Sequence, residues 1–176
     1  KTPPYCAVKV PVFSFEKVYG AETSLGPEMK STGEVLGISE EFHEALGKAF
    51  LGAGIRPMHK NLVISVRDED KEEILPIARR FFRLGYRIFA TRGTSRALTE
   101  SGISNFQVRT ASQESPNVLD LCLGQKLDLF IDTPKSEQSA LTDGFRIRRA
   151  AVESGVTMIT ALDTAKALLD VLEHGA

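Results

Sequence analysis

From position 42 onward the apolar residues recur first with a helical period and then with strand periods. Phe42, Ala45, Leu46, Ala49 and Phe50 stand at i, i+3, i+4, i+7 and i+8, which is one stripe of a helix. Ser39 precedes them as a candidate cap. Glu40 and Glu41 sit where acids favour the positive end of a helix, and Gly52 and Gly54 end the run. Leu62 to Val66, LVISV, is a short apolar run of buried-strand type. The stretch from Asp68 to Gly85 opens with acids and sets Ile74, Ala78, Phe81 and Phe82 on one side. Pro76 lacks an N–H, so this helix is predicted to begin between Glu72 and Leu75, with the proline in its first turn. YRIFA, FQVRT (the weaker run), DLFID and VTMIT are further strands. Helices are predicted between and after them over Ser95–Gly102, Pro116–Gly124, Asp143–Gly155 and Ala161–Gly175. Five strands alternating with helices predict an α/β fold: a five-stranded parallel sheet with helices on both faces, because each crossover is right-handed.

Before residue 38 the pattern changes. One strand is predicted from Ala7 to Phe15. A stretch rich in Gly, Pro, Ser and Thr follows from Gly20 to Gly37, with no helical period. A loop of that length inside a compact domain is unusual. The boundary divides the chain into 1–37 and 38–176. The N-terminus has neither an initiator methionine nor a signal-peptide pattern and reads as a cut inside a longer protein.

Composition narrows the function classes. The 176 residues are 42% hydrophobic, enough for one core of ordinary size or one domain plus an attached piece. With 22 basic and 23 acidic residues the formal net charge is -1. There is thus no global pull toward nucleic acid or an anionic membrane, and any anion must be held locally. No apolar run approaches the ~20 residues that span a bilayer. Cys6 and Cys122 match no ligand spacing and read as free thiols of a reducing, cytoplasmic setting. His43, His59 and His174 are scattered, so neither a metal nor any other cofactor is expected in this chain.

The candidate chemistry lies where a strand gives way to a helix. In ATRGTS, Thr91, Thr94 and Ser95 offer hydroxyl protons, Arg92 a cation, and Gly93 a close approach to backbone. A glycine turn followed by a helix N-terminus favours a phosphate. The bland alternative is an ordinary strand-to-helix turn with threonine caps. Lys71, just past the first strand of this region, can point into the same crevice or be a solvated member of the run RDEDKEE. Asp132 and Thr133 end the fourth strand, where they can reach a base or ribose or cap the next helix. The loop matches neither GxGxxG nor GxxxxGK[ST], so it does not indicate a dinucleotide or a Walker-type nucleotide site.

These residues carry a resemblance. SLGPEMKSTGEVLG resembles a signature of the second ATP-grasp half of the carbamoyl-phosphate synthase large chain, and ISEEFHEALGKAFLGAG the segment after it. LVISVRDEDKEEI, ATRGTSRAL and RIRRAAVESGV resemble the family's C-terminal allosteric domain. The resemblance implies a methylglyoxal-synthase-like fold with flavodoxin-like strand order, preceded by a short ATP-grasp remnant that is partly disordered or packs on the domain. It also implies an effector phosphate site at Lys71, Thr91 and Thr94 for a nucleotide of UMP type. A family lysine corresponds to Thr110, with Arg109 beside it, and a base- or ribose-contacting asparagine to Asp132. The second cation is expected from Arg92 rather than Arg109. In the ornithine site of some members, Val10 stands for a glutamate and Met158 for a tyrosine, while Thr160 matches, so ornithine activation is not expected.

The parent enzyme implied makes carbamoyl phosphate from glutamine-derived ammonia, bicarbonate and ATP with Mg or Mn, for the pyrimidine and arginine pathways. Its partners are the remainder of the large chain and a glutaminase small subunit. Two other classes compete for this chain. One is a stand-alone enzyme of methylglyoxal synthase type, for which Glu114 is the one acid in the region TASQESPN that would supply the base. The other is a structural oligomerisation domain. The ATP-grasp remnant is too short to build a catalytic core, so no catalytic residue is expected within the chain.

Overall fold

The computed structural model describes residues 3–12, 31–56, 60–124, 127–133 and 143–174. Phe13 to Phe15 of the expected first strand, and the first half of SLGPEMKSTGEVLG, lie outside these residues. The elements are β1 (Cys6–Val12), β2 (Gly33–Ser39), α1 (Phe42–Gly52), β3 (Asn61–Ser65), a 3-10 turn (Asp68–Asp70), α2 (Lys71–Arg83), β4 (Arg87–Thr91) and α3 (Arg92–Glu100). They continue with β5 (Phe106–Val108), α4 (Val118–Leu123), β6 (Leu129–Asp132), α5 (Asp143–Glu153), β7 (Thr157–Ile159) and α6 (Leu162–His174).

β1 and β2 form an antiparallel pair, from Cys6 opposite Ser39 to Val12 opposite Gly33. β2 is a strand where the glycine-rich composition predicts irregular chain. Its Gly37 has a structural reason: a Cβ there would overlap the Ala45 carbonyl, so the glycine lets β2 lie directly on α1. The expected junction between 37 and 38 falls inside this strand. Ser39 does not cap α1. It ends β2 and donates its hydroxyl to the Glu44 carboxylate, while Glu41 occupies the cap position without a side-chain bond. Of the α1 stripe, Ala45, Leu46, Ala49 and Phe50 are buried and Phe42 is exposed.

The remaining strands form one parallel sheet in the order β5-β4-β3-β6-β7. Numbered within the sheet this is 3-2-1-4-5, not the flavodoxin-like 2-1-3-4-5. The flavodoxin order would put the third strand in the centre, covered on both faces. β5 is only FQV, with Phe106 and Gln107 exposed, which suits an edge. β3 takes the central place instead, with the wholly buried β6 beside it.

Strand alternation feeds two cores. Leu62, Ile64, Ile88, Ala90, Leu129 and Ile131 face one side and pack with α1, α2, α3 and α6. Val63, Phe89 and Phe130 face the other and pack with α4 and α5. The chain steps one way through β3, β4 and β5 and the other way from β6 to β7, so right-handed crossovers place the two helix sets on opposite faces.

α2 begins at Lys71, earlier than the proline rule predicts, and Pro76 is its sixth residue. The turn Asp68–Asp70 winds directly into it, and both Glu72 and Pro76 are at least partly exposed. The Glu72 carbonyl left without its i+4 donor therefore lies on the solvent side, which lowers the cost of the proline. Ile77 is buried in place of the predicted Phe82, which is exposed. At the sheet edge Arg87 lies over the Phe106 ring, 5.9 Å from its centroid. Among the described residues no helix is long and apolar enough to cross a membrane.

Candidate functional site

Three strand ends meet beside β3. The end of β4 runs straight into α3. Thr91 is the last strand residue and also the helix cap, with φ -66° and ψ 154° and no side-chain cap bond. Arg92, Gly93 and Thr94 form the first turn of α3, so the free glycine loop expected before a helix at Ser95 is absent. The first-turn N–H groups have no acceptor within the helix and leave its positive end open to an anion.

Gly93 has a neighbour that explains it. A Cβ at this position would lie 3.1 Å from Lys71 Nζ and 3.6 Å from Lys71 Cε. The missing side chain is the space that the lysine fills. The first residue of α2 and the first turn of α3 are thereby joined, and the ammonium hangs over the positive end of α3. Lys71 Nζ also donates to Asp68 Oδ1 at 2.5 Å.

The other predicted residues divide into available and engaged groups. Thr91 is half-buried and Arg92 exposed. Thr94 is 1% exposed and its Oγ1 accepts the Val66 N–H at 3.2 Å, fastening the end of β3 to α3 while keeping a proton to donate. Ser95 does not present its hydroxyl to the crevice. It is buried and donates to Asn105 Oδ1 at 2.6 Å, so its proton is taken by the loop before β5.

Asp132 and Thr133, expected at the strand end as contacts for a base or ribose, are buried and already bonded within the fold. Asp132 is 6% exposed, and Arg148 Nη1 from α5 donates to its Oδ2 at 3.0 Å. Burial raises the Asp132 pKa, and the opposing effects of Arg148 and of a bond from Ser65 do not fully offset it. A carboxylate this deep needs a cation, and α5 supplies it. Thr133 Oγ1 accepts the Arg67 N–H at 3.0 Å and bonds the Asp70 carboxylate. Burial pushes the Asp70 pKa up, but the Arg67 and Thr133 bonds outweigh this and hold it below its usual value. Val66 and Arg67 are thus pinned from both sides, by Thr94 and by Thr133.

Arg109 and Thr110 lie past β5 in a turn that bonds to itself. Arg109 Nη1 reaches the Glu114 carbonyl at 3.3 Å, Thr110 N–H donates to Gln113 Oε1 at 3.0 Å, and Thr110 Oγ1 is 3.3 Å from Ser112 Oγ. Sequence reasoning missed Arg148 and Arg67. The available signal was an acid, Asp132, ending an apolar strand, which calls for a buried cation, and RIRR offers several on one helix.

Val10, Met158 and Thr160 come together although they lie at opposite ends of the chain. They line a cavity of about 690 Å³ with Phe50, Ile55 and Arg148. Its wall is largely apolar, with Thr160, Thr164, Asp163 and Arg148 as polar members.

Residues 73–160 match the family model of the MGS-like domain, half of the chain. The chain belongs to the MGS-like domain family. It is 55% identical over 173 residues to the carbamoyl phosphate synthase large chain of Lachnoclostridium phytofermentans, a match covering 98% of this chain and 16% of that one. It is 56% identical over 174 residues to the large chain of Agathobacter rectalis, with the same coverage. The chain therefore spans about a sixth of the length of these relatives. Among solved structures, methylglyoxal synthase from Elizabethkingia anophelis NUHP1 superposes with a TM-score of 0.50 at 18% identity, over 64% of this chain and 78% of that one. At that identity the likeness concerns the fold alone.

Proposed function

We propose that this MGS-like domain is the allosteric effector-binding part of a carbamoyl phosphate synthase large chain. Its ligand in this reading is a nucleoside monophosphate of UMP type, held through its phosphate by Lys71, Thr91, Arg92, Thr94 and the backbone at Gly93. One observation carries the reading: the Lys71 ammonium fills the space left by Gly93 at the positive end of α3. Ammonium, unpaired first-turn N–H groups and threonine hydroxyls are the groups a phosphate dianion requires.

In the same reading the effector acts on an ATP-dependent, glutamine-hydrolysing ligase, made up of the remainder of the large chain and a glutaminase subunit. Effector binding adjusts carbamoyl phosphate supply to the pyrimidine and arginine pathways. Ornithine is not an effector here. At the positions that correspond to the family's glutamate and tyrosine, the apolar Val10 and Met158 line the cavity and offer an ammonium no acceptor.

Calorimetric titration with UMP, IMP and UTP at fixed salt tests the proposal. UMP is expected to bind, and Lys71→Ala to weaken it by about 1.5–3 kcal/mol, the worth of a hydrogen bond to a charged group. An affinity unchanged by that substitution would remove Lys71 from the site.

A further inference from the structure

The Lys71 ammonium already has an acid partner, and that partner bears on how an anion gains access. Three acids form the turn ahead of α2, and they are not equivalent. Asp70 accepts two bonds from the Arg67 guanidinium, at 2.8 Å and 3.2 Å, and Glu69 lies 3.8 Å from the same group. Asp68 alone of the three pairs with Lys71, at 2.5 Å. The Asp68 side chain is 84% exposed and that of Lys71 27% exposed, so the carboxylate holds the ammonium from the solvent side. The ammonium lies against Gly93 at the start of α3.

We propose that Asp68 is a competing counter-ion of the anion site, a residue that lowers effector affinity by occupying Lys71. This inference rests on the reading of Lys71 as a phosphate ligand given above. A phosphate entering at the positive end of α3 meets an ammonium that is already sharing its protons with a carboxylate. Two arrangements are open to it. Lys71 turns its donors from Asp68 to the phosphate, or it serves both anions, which then repel one another across a single cation. In the first case the broken Lys71–Asp68 bond offsets part of the phosphate's gain; in the second the repulsion does. Asp68 is well suited to yield. It belongs to a 3-10 turn, and an exposed carboxylate released from its partner regains water. The arrangement lets the ammonium stay in place beside Gly93 and also sets how strong an anion must be to claim it.

The test is calorimetric titration of the protein and of Asp68→Asn with UMP, IMP and inorganic phosphate, with uridine as the uncharged control. Asp68→Asn is expected to tighten binding of the phosphate-bearing probes by about 3- to 10-fold, to leave uridine unchanged, and to increase the salt dependence. Asp68→Glu keeps a competing acid and is expected to stay near the unsubstituted affinity. The gain must depend on the lysine: in a Lys71→Ala background, Asp68→Asn should change affinity much less than it does alone. If Lys71→Ala weakens binding while Asp68→Asn leaves it unchanged or weaker, the counter-ion role is wrong and the anion site stands. If none of the phosphate probes binds either the protein or Asp68→Asn, or if Lys71→Ala has no effect, the site itself is wrong and the inference falls with it.

Discussion

On one side of β3 the chain ends a strand with Thr91 and Arg92; on the other it ends one with Asp132 and Thr133. All four are polar residues at the C-terminal end of the same parallel sheet. They differ in what surrounds them. Asp132 and Thr133 are buried, and each has found a protein partner, Arg148 for the first and the Arg67 backbone and Asp70 for the second. Thr91 is half-buried and Arg92 exposed, so water can satisfy both. Burial forces pairing, because an unpartnered polar group away from water is costly. The lesson is that a polar strand end is available to a ligand in proportion to how little the fold has needed it.

The sharpest way to break this contrast is to remove a partner on the engaged side. Asp132→Ala leaves the Arg148 guanidinium buried without its carboxylate and should cost about 3–5 kcal/mol in urea unfolding. A cost under about 1 kcal/mol would mean that Asp132 is as free as Thr91. Thr94 sharpens the comparison because it belongs to both sides, being buried and bonded yet able to donate. Thr94→Val removes the acceptor of the Val66 N–H and should lower stability by about 1–3 kcal/mol as well as weaken UMP binding. A loss of affinity with no loss of stability would assign it to the ligand alone. The smallest effects concern the exposed arginines. Arg92→Ala should weaken UMP by about 3- to 10-fold and lower the salt sensitivity of binding, with stability unchanged. Arg109→Ala should do little, since its guanidinium rests on the Glu114 carbonyl past the next strand. The reverse ranking in a titration would move the second cation to the β5 side.

Much of the fold is legible in the sequence because burial on both faces of a sheet leaves apolar runs without interruption. LVISV and DLFID show this, and β3 and β6 are the strands they become. Strand order is harder to read, since both runs look equally central; only the weaker apolar run of FQVRT, interrupted by Gln107, hints that β5 belongs at an edge. β2 escapes the composition argument because Gly33 and Gly37 suit a loop as well as a strand pressed onto a helix, and the reason for Gly37 lies in α1, across the fold. The candidate site divides along the same line. The places of Lys71, Thr91 and Gly93 are legible because helix starts and strand ends are local features. The engagement of Ser95 by Asn105, ten residues on, and of Asp132 by Arg148, sixteen residues on, depends on how separate elements pack, which no local pattern records.

The two outermost strands, β5 and β7, are each three residues long, while the inner three run to four or five. A sheet that tapers in this way offers little length for another chain to extend. At the β5 edge the exposed Phe106 ring also carries the Arg87 guanidinium above it, which places a charge where a sticky aromatic would otherwise stand bare. In colloidal terms the edge is guarded. A concentrated solution of this protein should resist the edge-to-edge joining that turns open sheets into aggregates, and Arg87 is the residue whose loss would leave that edge exposed.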